Sequence, residues 1–162
     1  MCGISGYYSN KVKINLEKFY SGHLKLSHRG PDDEGFIARD DNNNMVLLKG
    51  RDTVAEFKYL KDILDFEDTL FIFGHRRLSI IDLSYMGHQP FVYDNLYLTY
   101  NGEIFNYLEL RKELELNGYI FETNSDTEVF LKAYHCWGIE AFNKFNGMWA
   151  AAIYNHHKKN II

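Results

Sequence analysis

The chain has 162 residues, 46% hydrophobic and 16% aromatic with 12 Tyr and 12 Phe, enough to bury a core and suited to a β-rich globular protein, not a disordered one. A net charge of -4 supplies no field for nucleic acid or an anionic membrane surface. No apolar run approaches the roughly 20 residues that span a bilayer and no signal-type segment opens the chain, so a cytoplasmic protein is expected, with no nucleic-acid and no membrane partner.

Residues 2–8 read as a strand, and Leu16, Phe19, Tyr20, Leu24 and Ser27 recur at helical spacing over residues 15–27. Gly30 and Pro31 stop that helix. Strands are predicted over residues 35–38 and 45–48, joined by the polar turn Asp40-Asp41-Asn42-Asn43-Asn44. Residues 51–69 are charged, with Phe57, Leu60 and Leu64 spaced for a short helix, and read as a surface excursion. Further apolar runs fall at 70–74, 79–82 and 96–100, the last leading directly into Asn101-Gly102-Glu103. Asn106 with Glu109, and Ser125 with Glu128, each pair a capping residue with an acid three positions on, the pattern in which the two side chains satisfy helix-start amides reciprocally. Gly118 and Gly138 mark the stops. Residues 147–154 read as a buried strand and 156–160 as a turn, with no repeat, low-complexity tract or domain linker along the way.

The two cysteines, Cys2 and Cys136, cannot make a disulfide framework, and no CxxC pair suggests zinc. Cys136 lies in an apolar helical stretch and reads as a packed residue. Cys2 is different, because removal of Met1 would put a thiol and a free α-amine on one residue. An α-amine titrates near about 7.7 to 8.0 and a thiol near about 8.5, so one can act as base for the other at neutral pH. The alternative is a small buried hydrophobe at the start of a strand.

Five short strings stand in order: Cys2-Gly3-Ile4, His28-Arg29-Gly30-Pro31-Asp32, Arg77-Leu78-Ser79-Ile80, Asn101-Gly102-Glu103 and Ser125-Asp126-Thr127-Glu128. In that order and spacing they resemble the class II (N-terminal nucleophile) glutamine amidotransferase domain, most closely that of glutamine-hydrolysing asparagine synthetases, from residue 2 to about residue 154. Gly87-His88-Gln89-Pro90 and Phe145-Asn146-Gly147-Met148-Trp149-Ala150 look like the same branch. The resemblance implies an α+β fold, a four-layer αββα sandwich of two mainly antiparallel sheets (Ntn-hydrolase type). It also implies hydrolysis of the glutamine side-chain amide to glutamate and ammonia through a thioester on Cys2.

Each residue that the resemblance singles out meets a physical need. Attack on an amide carbonyl creates an oxyanion, for which the Asn101 side chain and the Gly102 backbone N–H are the implied donors; without the other motifs Asn-Gly would read as a hairpin turn. Free glutamine carries a carboxylate and an ammonium. Arg77 resembles the carboxylate-binding arginine, its planar fork suited to two parallel bonds, while the same pattern gives the adjacent Arg76 no ligand. Asp126 resembles the residue that meets the α-ammonium, assisted by backbone at Glu103, and Leu78 and Ile80 complete the substrate-binding set. Asp126 is equally an acid in the first turn of a helix, favoured by the helix dipole. Arg29 and Asp32 read as supporting the site's residues or as structural, not as catalytic, His23, His28, His75, His88 and His135 read as structural and not as ligands, and the adjacent His156 and His157 cannot share a strand face.

One amidotransferase domain over 1–162 is expected, lacking its C-terminal part and the synthetase domain. No cofactor is expected in this chain: ATP and Mg are implied only for the missing synthetase domain, whose glycine-rich pyrophosphate loop is absent. The expected partners are L-glutamine and a synthetase domain or subunit that receives ammonia, with a homodimer left open. The rival reading is a catalytically silent, amidotransferase-like module that binds glutamine or a protein, and retention of Met1 distinguishes the two, since an acylated nitrogen is no base.

Overall fold

Gly3–Tyr8 forms the first strand (β1), and Asn15 then caps helix α1 (Leu16–Leu24) by accepting from the Lys18 amide at 3.1 Å, an arrangement that contributes about 1 kcal/mol. In this computed structural model, which describes residues 2–162, the helix ends earlier than its periodicity predicts, and Ser27–Arg29 makes a separate 3₁₀ turn. The chain divides into two compact units, one running to Leu78 and including His88–Pro90, the other made of Ser79–Gly87 and Phe91–Ile162.

The first unit is a five-stranded sheet in the order β1-β5-β2-β3-β4, where β2 is Asp33–Arg39, β3 Met45–Lys49, β4 Lys61–Asp62 and β5 Phe71–Arg77. It is antiparallel except for the short β3–β4 pair. The Asp40–Asn44 turn joins β2 to β3 as expected, its Asp40 carboxylate accepting from the Asn44 amide at 2.7 Å. Leu16, Phe19 and Tyr20 on one stripe of α1 pack with Phe36, Ala38, Leu48 and Ile72 of the sheet.

Residues 51–69 depart from the expected surface helix. They form two 3₁₀ turns (Ala55–Phe57 and Ile63–Asp65) around β4, Ile63 is fully buried, and the Thr53 hydroxyl donates to the Glu34 carbonyl at 2.7 Å. The apolar spacing of Phe57 and Leu60 could be satisfied locally, but contacts with β2 and α1 decided the path.

The second unit holds a four-stranded antiparallel sheet, order β6-β7-β8-β9, with β6 Phe91–Tyr93, β7 Leu96–Ile104, β8 Gly147–Asn155 and β9 Asn160–Ile161. Helices α2 (Tyr107–Leu116), α3 (Asp126–Trp137) and the single turn α4 (Ala141–Lys144) complete it. Leu98, Tyr100 and Ile104 of β7 pack with Leu110, Leu114, Val129 and Phe130, and each large apolar side chain so buried contributes about 1.5–3 kcal/mol. Cys136 is half-buried and packs against this cluster.

The apolar run 79–82 forms no strand, and two expectations fail here. The first half of β8 is not buried: Met148 is 71% and Trp149 37% exposed. Neither reciprocal cap forms in full. Asn106 spends its side chain on Lys144 O and Asn146 N, while Ser125 does accept from Thr127 N at 3.1 Å but Glu128 turns instead to the Glu122 and Thr123 amides.

The α+β architecture with two mostly antiparallel sheets is as expected.

Candidate active site

In the first unit, Arg76 and Arg77 close β5 side by side, and because strand side chains alternate they leave it on opposite faces. Arg76 is held by the fold: its guanidinium donates to Glu34 Oε2 and Asp52 Oδ2, each at 2.9 Å, and to the Gly30 carbonyl at 2.9 Å. Glu34 is fully buried and accepts in addition from the Tyr20 hydroxyl at 3.0 Å and the Asp52 amide at 2.8 Å. Arg77 pairs in register with Asp33, is 6% exposed, and is followed directly by Leu78.

Cys2 precedes β1, and the Leu78 backbone amide donates to its sulfur at 3.4 Å. The Arg29 Nε donates to the Cys2 carbonyl at 3.2 Å, while the Asp32 amide donates to the Arg77 carbonyl at 3.0 Å. One loop thus braces the backbone of both Cys2 and Arg77, through the Arg29 side chain and the Asp32 backbone amide. Gly30 sits in that loop because a Cβ there would lie 2.3 Å from the Arg76 carbonyl carbon. Removal of Met1 concerns a residue outside those described.

In the second unit Asn101, Gly102 and Glu103 lie in the last third of β7, opposite Ala150, Trp149 and Met148. Asn-Gly is therefore inside a strand and not a hairpin turn. The Ile104 amide leaves the β8 ladder to donate to Asp126, whereas the Phe105 amide bonds Asn146. By the two-residue alternation of an antiparallel ladder, the Gly102 N–H points the same way as the Ile104 N–H, away from β8. Gly102 is glycine for a close approach, since a Cβ would meet Trp149 Cβ at 2.5 Å. The Asn101 side-chain oxygen is buried with no hydrogen-bond partner, so the fold leaves part of this amide's bonding capacity unused.

Asp126 is the first residue of α3, and its Oδ2 accepts from the Tyr100 hydroxyl at 2.7 Å and the Ile104 amide at 3.0 Å. Burial pushes its pKa above the ordinary aspartate value, the two donors pull against burial, and Glu103 adds to the rise. Ile80 is 55% exposed in the irregular stretch after Leu78. The second unit thus ties Asp126 to the residues on either side of Asn101–Glu103, and the first ties Cys2 to Leu78, next in sequence to Arg77.

The model of the glutamine amidotransferase domain family matches residues 63–162. The chain belongs to the glutamine amidotransferase domain family. It is 33% identical to the putative asparagine synthetase [glutamine-hydrolyzing] 2 of Methanocaldococcus jannaschii, over 98% of this chain and 28% of that protein. To asparagine synthetase [glutamine-hydrolyzing] 1 of Bacillus subtilis it is 35% identical, over 96% of this chain and 21% of the other. An amidophosphoribosyltransferase of M. jannaschii is 34% identical over 80% of this chain and 28% of its own length. The amidotransferase chain therefore spans only about a quarter of each of these relatives. Among solved structures, glutamine phosphoribosylpyrophosphate amidotransferase of B. subtilis superimposes with a TM-score of 0.75 at 24% identity, over 96% of this chain and 35% of that one, and shows the shared fold.

Two groups in this amidotransferase domain carry no signal in the sequence. The Leu78 amide is backbone, and Tyr100 sits in an apolar run where it reads as one more core aromatic. Two of the histidines are engaged elsewhere: His88 donates from Nδ1 to Asp33 at 2.6 Å and stacks on Phe57, and His23 Nδ1 meets Ser5 Oγ at 2.8 Å. No helix of the described residues is long and apolar enough to cross a membrane.

Proposed function

We propose that this domain is the glutaminase part of an amidotransferase, releasing ammonia from L-glutamine for asparagine synthesis or a related amidation. The observation that carries the reading is the Leu78 amide donating to Cys2 Sγ at 3.4 Å beside Arg77, in a chain of this family. With Met1 removed, the α-amine of Cys2 takes the thiol proton and the sulfur attacks the side-chain carbonyl. The Asn101 amide and Gly102 N–H receive the oxyanion. The C–N bond breaks as the amine returns its proton to the leaving ammonia, and water then cleaves the thioester, giving glutamate and the free thiol. Arg77 pairs with the α-carboxylate, Asp126 with the α-ammonium, and backbone at Leu78 and Glu103 with Ile80 lines the substrate. The ammonia acceptor, ATP and Mg belong to a synthetase domain or subunit.

The test combines intact mass with a glutamate-release assay. Protein purified without Met1 should hydrolyse glutamine, Cys2→Ala should abolish turnover while retaining glutamine binding, and a diazo or chloroketone glutamine analogue should label Cys2. Retained Met1 with glutamine bound but not hydrolysed would favour the silent module, and an adduct mapped to Cys136 would end the mechanism.

A further inference from the structure

We propose that Tyr100 is a positioning residue for substrate binding, its buried hydroxyl holding the Asp126 carboxylate where an α-ammonium group is received. The inference rests on the glutaminase reading and lies wholly within the second unit. One carboxylate oxygen of Asp126 takes two donors, the Tyr100 hydroxyl and the Ile104 amide, and these residues flank Asn101, Gly102 and Glu103 on either side. A single side chain on α3 therefore clasps the whole segment of β7 that carries the proposed oxyanion donors.

The ring of Tyr100 would pack as well without an oxygen. It is 2% exposed and lies 5.0 Å from the ring of Phe130, one helical turn beyond Asp126 and on the same helix face. A hydroxyl buried there is unfavourable unless bonded, and its partner is the carboxylate. Tyr100 thus fixes the start of α3 twice, through its ring and through its hydroxyl.

Of the other ionisable groups near this end of α3, Asp82 accepts from the Asn124 amide at 3.3 Å. Glu103 on β7 opposes ionisation of Asp126. Glu128 is turned to the Glu122 and Thr123 amides and paired with Lys132, Arg111 of α2 donates to the Thr123 carbonyl at 2.7 Å, and Lys144 of α4 pairs with Glu113. The Tyr100 hydroxyl is the side-chain donor that counters the burial of Asp126.

The experiment is carboxyl-carbon NMR titration of Asp126, assigned through Asp126→Asn, alongside glutamine kinetics, in the parent chain, in Tyr100→Phe, and with 3-fluorotyrosine at position 100. Tyr100→Phe should move the Asp126 midpoint upward by about one pH unit and raise KM for glutamine about fivefold or more, with a smaller change in kcat. The more acidic 3-fluorotyrosine hydroxyl is a stronger donor and should move the midpoint down, an opposite sign that loss of fold cannot mimic. An unmoved midpoint, or a moved one with KM unchanged in an active parent, overturns the positioning role. A moved midpoint in a parent that neither binds nor hydrolyses glutamine instead removes the glutaminase reading, and with it the substrate half of the proposal.

Discussion

Glu34 on β2 and Arg76 on β5 are direct cross-strand partners, their side chains 2.9 Å apart and both sealed from solvent. Removing one member of such a pair leaves the other charged, buried and unpaired, so Arg76→Met should cost about 3–5 kcal/mol. Arg76→Lys keeps the charge but cannot reach Glu34, Asp52 and Gly30 at once, and about 1–3 kcal/mol is expected. Urea unfolding measures both; midpoints matching the parent would show that the network contributes nothing to stability.

His23 gives the fold a pH dependence. Burial, then the nearby Arg76 guanidinium, push its pKa down to about 3, and Glu34 at 3.6 Å does not reverse this because Arg76 already neutralises it. A folded pKa below the unfolded one means that the unfolded chain binds the proton first as pH falls. Stability should therefore decline from pH 6.5 toward pH 3, by at most about 1.4 kcal/mol per pH unit from this residue. His23→Gln should flatten that part of the stability profile, and an identical slope in the variant would assign the decline to other groups.

Asn101→Ala should lower kcat for glutamine hydrolysis about a hundredfold or more, with little change in KM, because a donor to an oxyanion strengthens only as the charge develops. A change confined to KM would make Asn101 a substrate-binding residue.

Arg77→Lys should raise KM for glutamine about tenfold or more with a smaller fall in kcat, since one ammonium cannot reproduce a two-point contact with a carboxylate. Arg76→Lys, on the opposite face of the strand, should lower the unfolding midpoint and leave KM nearly unchanged. Equal effects of the two on KM in folded protein would mean that the register of Arg77-Leu78-Ser79-Ile80 is wrong.

Much of this molecule is written locally. The helical spacing from Leu16, the polar turn at Asp40–Asn44, the Ser125 cap and the stops at Gly118 and Gly138, both at positive φ, follow from residue chemistry within a few positions and appear where the sequence puts them. The five motifs, each a short string, likewise carry the family's pattern in the sequence alone. What the sequence could not decide were partnerships over long separations. Asp52 binds Arg76 from 24 residues away and Ile63 is fully buried, which ties residues 51–69 to the core at these points although most of the segment stays on the surface. Local patterns can also mislead: Glu128 is drawn to Glu122 and Thr123 although it stands where a capping acid belongs, and Met148 and Trp149 are exposed although their run is apolar. Tyr100 is the sharpest case. Its apolar neighbours predict a core ring, and only the packing of α3 on β7, 26 residues on, gives its hydroxyl a carboxylate to hold.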